Sequence, residues 1–179
     1  MKTNKIAFLV LSIALAAAGQ AKAAAGPLDE VKLGLIAHDV AIGAHREEDG
    51  VDFNGEALFT SPDLLKVIWA PRPHVGVMIN SSGGNSYAYA GLTWTVSFLG
   101  PFFADLGLGG AIHNGPNHST DPHHKGLGTR GLFHESVELG YRFMPSYSLA
   151  LFLDHVSNAN IGNRNPGITN LGLRLGIAF

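Results

Sequence analysis

The sequence predicts an all-β fold, an eight-stranded antiparallel transmembrane β-barrel. Three observations carry this expectation. Apolar residues alternate with polar or small ones along nearly the whole chain. Tight turns alternate with longer polar connections, the pattern of an outer-membrane barrel. The last strand keeps an apolar residue at every second position and ends on Phe179, like the C-terminal signal by which barrel-assembly machinery takes up such proteins.

The first 23 residues read as a leader rather than part of the fold. Lys2 and Lys5 are followed by an apolar run from Ile6 to Ala18 and by Ala21-Lys22-Ala23, an A-x-A cleavage site. The apolar run is too short to span a bilayer as a helix. Cutting before Ala24 leaves a 156-residue domain, 24–179, and moves the formal net charge from −2 to −5. Export through a bacterial inner membrane is the expectation.

The alternation then marks the strands in order. Val31, Leu33, Leu35 and Ala37 oppose Lys32, Gly34, Ile36 and His38. Val51, Phe53, Ala57 and Phe59 oppose Asp52, Asn54 and Glu56. Val75, Val77 and Ile79 oppose His74, Gly76 and Asn80. Leu92, Trp94, Val96 and Phe98 oppose Thr93, Thr95 and Ser97. Phe102, Ala104, Leu106 and Leu108 oppose Asp105, Gly107 and Gly109. Val137, Leu139, Tyr141 and Phe143 oppose Glu138, Gly140 and Arg142. Leu149, Leu151 and Leu153 oppose Ser148, Ala150 and Asp154. Leu171, Leu173, Leu175 and Ile177 oppose Gly172, Arg174, Gly176 and Ala178.

Tight turns are expected at Gly100-Pro101 and Pro145-Ser146, and long polar loops over 40–50, 114–130 and 159–168. The segment 61–73 reads either as a strand extension or as an amphipathic turn on the periplasmic side. A soluble barrel would turn the apolar face inward. The polar face here is rich in glycine and carries charges of both signs. That suits a narrow, ion-paired interior with the apolar face on lipid. Glu138, Arg142 and Arg174 are expected inside. Trp69, Trp94 and Tyr141 are expected at membrane interfaces.

Composition excludes several function classes. The chain is 46% apolar, 15% charged and free of cysteine, which removes disulfide scaffolds, zinc-thiolate sites and cysteine catalysis. The acidic balance gives no footprint for nucleic acid, and no nucleotide or calcium motif is present. No cofactor is called for. His113, His118, His123 and His124, with Asp121, have spacings that a metal can use. A polar surface loop accounts for them as well.

The chemistry falls on the seventh strand. Leu149, Leu151, Leu153, His155 and Ser157 share one parity, so the lipid-facing stripe ends in an imidazole and a hydroxyl. Two residues apart on a strand, their Cα atoms lie about 7 Å apart on the same face. Such an imidazole can take the proton of a serine nucleophile. The alternative is a polar cap on a strand end.

The run from His155 through Val156, Ser157, Asn158, Ala159 and Asn160, followed by Asn165-Pro166-Gly167 and a terminal strand, resembles the lipid A 3-O-deacylase (acyloxyacyl hydrolase-like) family. The close match covers about the last 25 residues. The resemblance implies an outer-membrane barrel that cuts a fatty-acyl ester from lipid A of lipopolysaccharide. It makes His155 the general base and Ser157 the nucleophile. It places an oxyanion-supporting Asn at Asn165, with Asn158 as a second candidate. In the family a Glu follows that Asn by about four residues and orients the His. Here that position is Thr169, followed by Asn170. A Thr accepts a hydrogen bond from imidazole but does not stabilise imidazolium as a carboxylate does. Counting back from the turn at 145–146 puts Glu135 opposite His155 or Ser157. Glu135 therefore either replaces the missing acid or stands solvated above the membrane. Two functions fit this reading: a lipid A esterase, or a non-catalytic barrel, structural or descended from a deacylase.

Overall fold

The structure is a computed structural model that describes residues 26–42 and 45–179. The expected leader over 1–23 lies outside the described residues. Eight strands form: β1 (Leu28–Ala37), β2 (Val51–Phe59), β3 (Arg72–Asn80), β4 (Tyr87–Phe98), β5 (Phe102–His113), β6 (Gly131–Met144), β7 (Tyr147–Ser157) and β8 (Ile168–Ala178). Each pairs antiparallel with the next, and β8 returns to β1, with Leu35 opposite Leu173. Closure leaves no strand edge with unpaired backbone groups, the condition for a sheet to sit in hydrocarbon.

The two parities separate as expected. Leu35, Val96, Leu106, Leu139, Leu151 and Leu173 stand exposed on the outside, while Lys32, Glu56, Asp105, Glu138 and Arg174 are buried within. This is an inside-out arrangement relative to a soluble protein. Large apolar side chains on an outer face are stable only where lipid, not water, meets them.

The interior is a set of paired charges. Lys32 Nζ lies 2.6 Å from both Asp105 and Glu138. Arg174 joins Glu56 and reaches Glu138 with Nε at 3.1 Å. Arg142 donates to Ser97 and lies over the Phe103 ring at 4.5 Å. Higher up, Tyr87 donates to Asp154, and His134 stacks on Tyr89 with centroids 4.2 Å apart. Buried charges persist only when each has its counter-charge and hydrogen bonds.

The connections divide by end. Residues 99–101 and 145–146 are the tight turns, and 60–71 joins them at that end. Segment 61–73 is not a strand extension. It holds a 3-10 helix, Asp63–Ile68, stopped by Trp69 in the left-handed region at φ 66°, before β3 begins. Leu64, Val67 and Trp69 are all exposed, so the amphipathic-turn reading holds. Trp94 Nε1 donates to the Ile68 carbonyl. Phe98, Phe102 and Tyr141 continue an aromatic belt around this end, with Phe102 and Tyr141 centroids 5.1 Å apart. The other end carries 38–42 and 45–50, 81–86, 114–130 and 158–167. The 81–86 loop adds a fourth connection to the three expected.

Candidate active site

Strand β7 carries the outward stripe past Leu153 to His155 and Ser157, both half-buried. They stand at the long-loop end, where β7 hands over to the 158–167 loop. Neighbours on both sides decide what surrounds the imidazole. Glu135 of β6 is directly opposite His155, and Thr169 of β8 is opposite it on the other side. Ser157 pairs with Phe133.

His155 Nδ1 lies 2.8 Å from Thr169 Oγ1. Thr169 shares the outward parity of Leu171 and Leu173, yet it is buried. Glu135 also faces outward and is exposed, but among the described residues no ion pair or hydrogen bond joins its carboxylate to His155. Register thus brings Glu135 across from the imidazole, while the contact is made by Thr169. No hydrogen bond joins Ser157 Oγ to the ring. Catalytic hydrogen bonds are often open before substrate arrives.

The 158–167 loop fixes the remaining polar groups. The backbone N–H of Asn158 donates to Asn165 Oδ1 at 2.8 Å. An N–H donor needs an acceptor, so this bond sets the Asn165 amide and leaves its Nδ2 protons as donors. Asn158 is different. Its Nδ2 donates to the carbonyls of Leu127, at 2.8 Å, and Arg164, at 2.6 Å. Both its amide protons are committed within the protein. Asn165 also lines a polar cavity of about 350 Å³ with Glu47, Ser119, His124, Gly126, Arg164 and Pro166.

One participant is invisible in composition and spacing. Gly167 has φ +61°, and a Cβ built there would lie 2.8 Å from His155 Cε1. The absence of a side chain lets the loop close against the imidazole. The Asn-Pro-Gly string hints at a turn, but not at what the turn touches. Among the described residues no three His, Asp or Glu gather into a metal site. His113 instead ends β5, points inward and donates Nε2–H to the Thr129 carbonyl at 2.7 Å.

A family model described as lipid A 3-O-deacylase (PagL) matches residues 65–178, well over half the chain and all of β3 to β8. The chain belongs to the lipid A 3-O-deacylase family. Membership supports lipid A deacylation by a hydrolase, and family and barrel together place the chain in the bacterial outer membrane. The outer-membrane enzyme PagL is similar in structure, with a TM-score of 0.63 at 17% identity, covering 84% of this chain and 99% of that one. Neisserial surface protein A is similar at a TM-score of 0.53 and 11% identity, over 85% of this chain and 96% of its own. A de novo designed transmembrane β-barrel is similar at 0.52 and 13%, over 87% and 98%. At these identities the likenesses speak for the barrel alone. No curated protein sequence matches the chain. The span that the family model matches, 65–178, includes His155, Ser157, Asn165, Gly167 and Thr169.

Proposed function

We propose that the protein hydrolyses the 3-O fatty-acyl ester of lipid A on the lipid-facing surface of its barrel. The single observation that carries this reading is the His155–Thr169 contact, at 2.8 Å, on the outward face beside Ser157. On an outward face built mainly of Leu, Val and Phe, an imidazole held by a hydroxyl and neighboured by a serine supports a catalytic role.

With Nδ1–H donated to Thr169 Oγ1, His155 keeps Nε2 free as an acceptor. Ser157 Oγ attacks the ester carbonyl and passes its proton to Nε2. Asn165 Nδ2 donates to the resulting oxyanion. The tetrahedral adduct collapses, the sugar hydroxyl leaves with the proton from Nε2, and the acyl chain stays on Ser157. A water, deprotonated by the same nitrogen, then releases the fatty acid. The site lies at the long-loop end, the outer-leaflet end of such barrels, where lipopolysaccharide resides. In the same reading residues 1–23 are removed on export, so the mature chain starts at Ala24, and the strand ending at Phe179 engages the barrel-assembly machinery.

The test is mass spectrometry of lipid A from a host without deacylases that expresses the protein. Loss of one hydroxyacyl chain, abolished by Ser157→Ala, is the expected result. Unchanged lipid A from cells with a folded wild-type barrel would identify a non-catalytic relative instead.

A further inference from the structure

Lys125 lies in the 114–130 loop, yet it is one of the most buried side chains of the protein, 1% exposed. Its Nζ lies 2.6 Å from Asp39 Oδ1 and donates to the Gly167 carbonyl at 3.0 Å. Its own backbone is held too: Lys125 N donates to Glu48 Oε1 at 2.7 Å, and its carbonyl accepts from Asn85 Nδ2 at 3.0 Å. The ammonium therefore sits at a fixed point where three long loops meet.

Each arm of that point leads to the imidazole. Gly167 packs against the His155 ring. Asp39 receives the N–H groups of Glu47 and Glu48, and its own N–H donates to Asn170 Oδ1 at 2.9 Å. The next residue, Val40, donates its N–H to the carbonyl of Thr169 at 2.7 Å. Both neighbours of the ring, Gly167 and Thr169, are thus held from the far side of the barrel wall by the Lys125–Asp39 pair.

We infer that Lys125 is a positioning residue for the deacylation. Its ammonium, fixed by Asp39, holds the Gly167 carbonyl and so keeps His155 in the orientation from which Nε2 reaches Ser157. This inference rests on the ester-hydrolysis reading above. Lys125 touches neither substrate nor the reacting atoms. It acts by keeping the ring from swinging toward the space that the loop fills. Small misplacements at a reacting centre are expensive; about 1 Å can cost on the order of 100-fold in rate.

The pair of variants Lys125→Met and Lys125→Met with Asp39→Asn tests this. The single variant strands Asp39 as an unpaired buried charge and is expected to lower both barrel stability and kcat. The double variant removes that charge, and the amide oxygen it puts in place of the carboxylate still accepts from the Glu47 and Glu48 N–H groups. The Gly167 carbonyl then lacks its ammonium donor, and the new amide N–H groups at position 39 face the introduced thioether, a weak acceptor. The expected result is a heat-modifiability midpoint restored to near wild type, with kcat still about 10- to 100-fold down and KM changed less than about threefold. In histidine-labelled protein, the His155 ring Cε1–Hε1 resonance is expected to shift or broaden in the double variant. Recovery of wild-type kcat with an unmoved His155 resonance overturns the inference, because Lys125 is then only a counter-ion. If the single variant does not fold, the double variant decides by itself. Inactive wild-type protein would fail the ester-hydrolysis reading, an outcome distinct from an active double variant.

Discussion

The sharpest prediction concerns the group that orients His155. Thr169 Oγ1, 2.8 Å from Nδ1, is the contact in place. Thr169→Val removes that oxygen with almost no change in shape. A net hydrogen bond of this kind contributes about 0.5–1.5 kcal/mol. If the whole of it is felt in the transition state, kcat falls by about 2- to 13-fold. The loss is modest because a neutral hydroxyl holds the ring but adds no charge to stabilise imidazolium. Thr169→Glu is expected to act in the opposite sense and raise kcat above wild type. Glu135→Gln is expected to change kcat by less than about twofold, since among the described residues its carboxylate makes no hydrogen bond or ion pair to His155 and a neutral amide of the same shape removes no contact to the ring. The assay is fatty-acid release from lipid A in mixed micelles, with kcat and its pH profile measured for all three variants. A wild-type rate in Thr169→Val together with a tenfold or greater loss in Glu135→Gln would refute the assignment and make Glu135 the acid.

Gly167→Ala places a methyl 2.8 Å from His155 Cε1 at a φ of +61°, so loss of most activity is expected with the barrel still folded; gel mobility before and after heating checks the fold, and lipid A turnover checks the site. Arg174→Met leaves Glu56 and Glu138 without one counter-charge inside the barrel, and a destabilisation of about 3–5 kcal/mol is expected from denaturant unfolding in detergent. His38, just past β1, is resisted by burial, but its hydrogen bonds to Asp52 and Glu48 prevail and raise it to about 9. A raised imidazole stabilises fully below its ordinary value of 6.5 and loses that contribution as pH rises through about 9. Protease resistance of the long loops should therefore fall between about pH 6.5 and 9, and His38→Gln should abolish that pH dependence.

Strand parity was legible because lipid and lumen impose opposite chemistry on successive residues. Leu149, Leu151 and Leu153 therefore announced the face on which His155 lies. Register was legible where a two-residue turn fixes it: the turn at Pro145-Ser146 pairs Glu135 with His155. The start of β4 was hidden. Tyr87 and Tyr89 point inward while Ala88 and Ala90 point out, reversing the size rule that marks the other strands, because the lumen there is filled by rings packed around His134, Tyr89 stacked on it and Tyr87 tilted against it. The surroundings of His155 were hidden for another reason. Lys125 meets Asp39 and Gly167 across separations of 86 and 42 residues. Loops of such length close with no periodic pattern, so only their folded geometry shows that a lysine in a polar loop is buried. Choosing between Asn158 and Asn165 likewise needed the partners of each amide, which no spacing encodes.

The aromatic belt at the tight-turn end gives the barrel a built-in ruler. Tyr141 is opposite Leu149, and His155 and Ser157 follow it along β7 by six and eight residues. At about 3.4 Å per residue these are roughly 20 and 27 Å of strand. With a strand tilt of about 40°, they become roughly 16 and 21 Å of height above the belt, within an apolar band of about 25 Å. Ser157 is thus held a few ångströms below the far boundary, the depth at which an acyl chain joins its sugar. If Ser157 is the nucleophile, as proposed, selection among the ester bonds of one lipid is a matter of altitude. Lengthening β6 and β7 by two residues each below the site would lift the hydroxyl by about 5 Å, out of the apolar band and among the sugars.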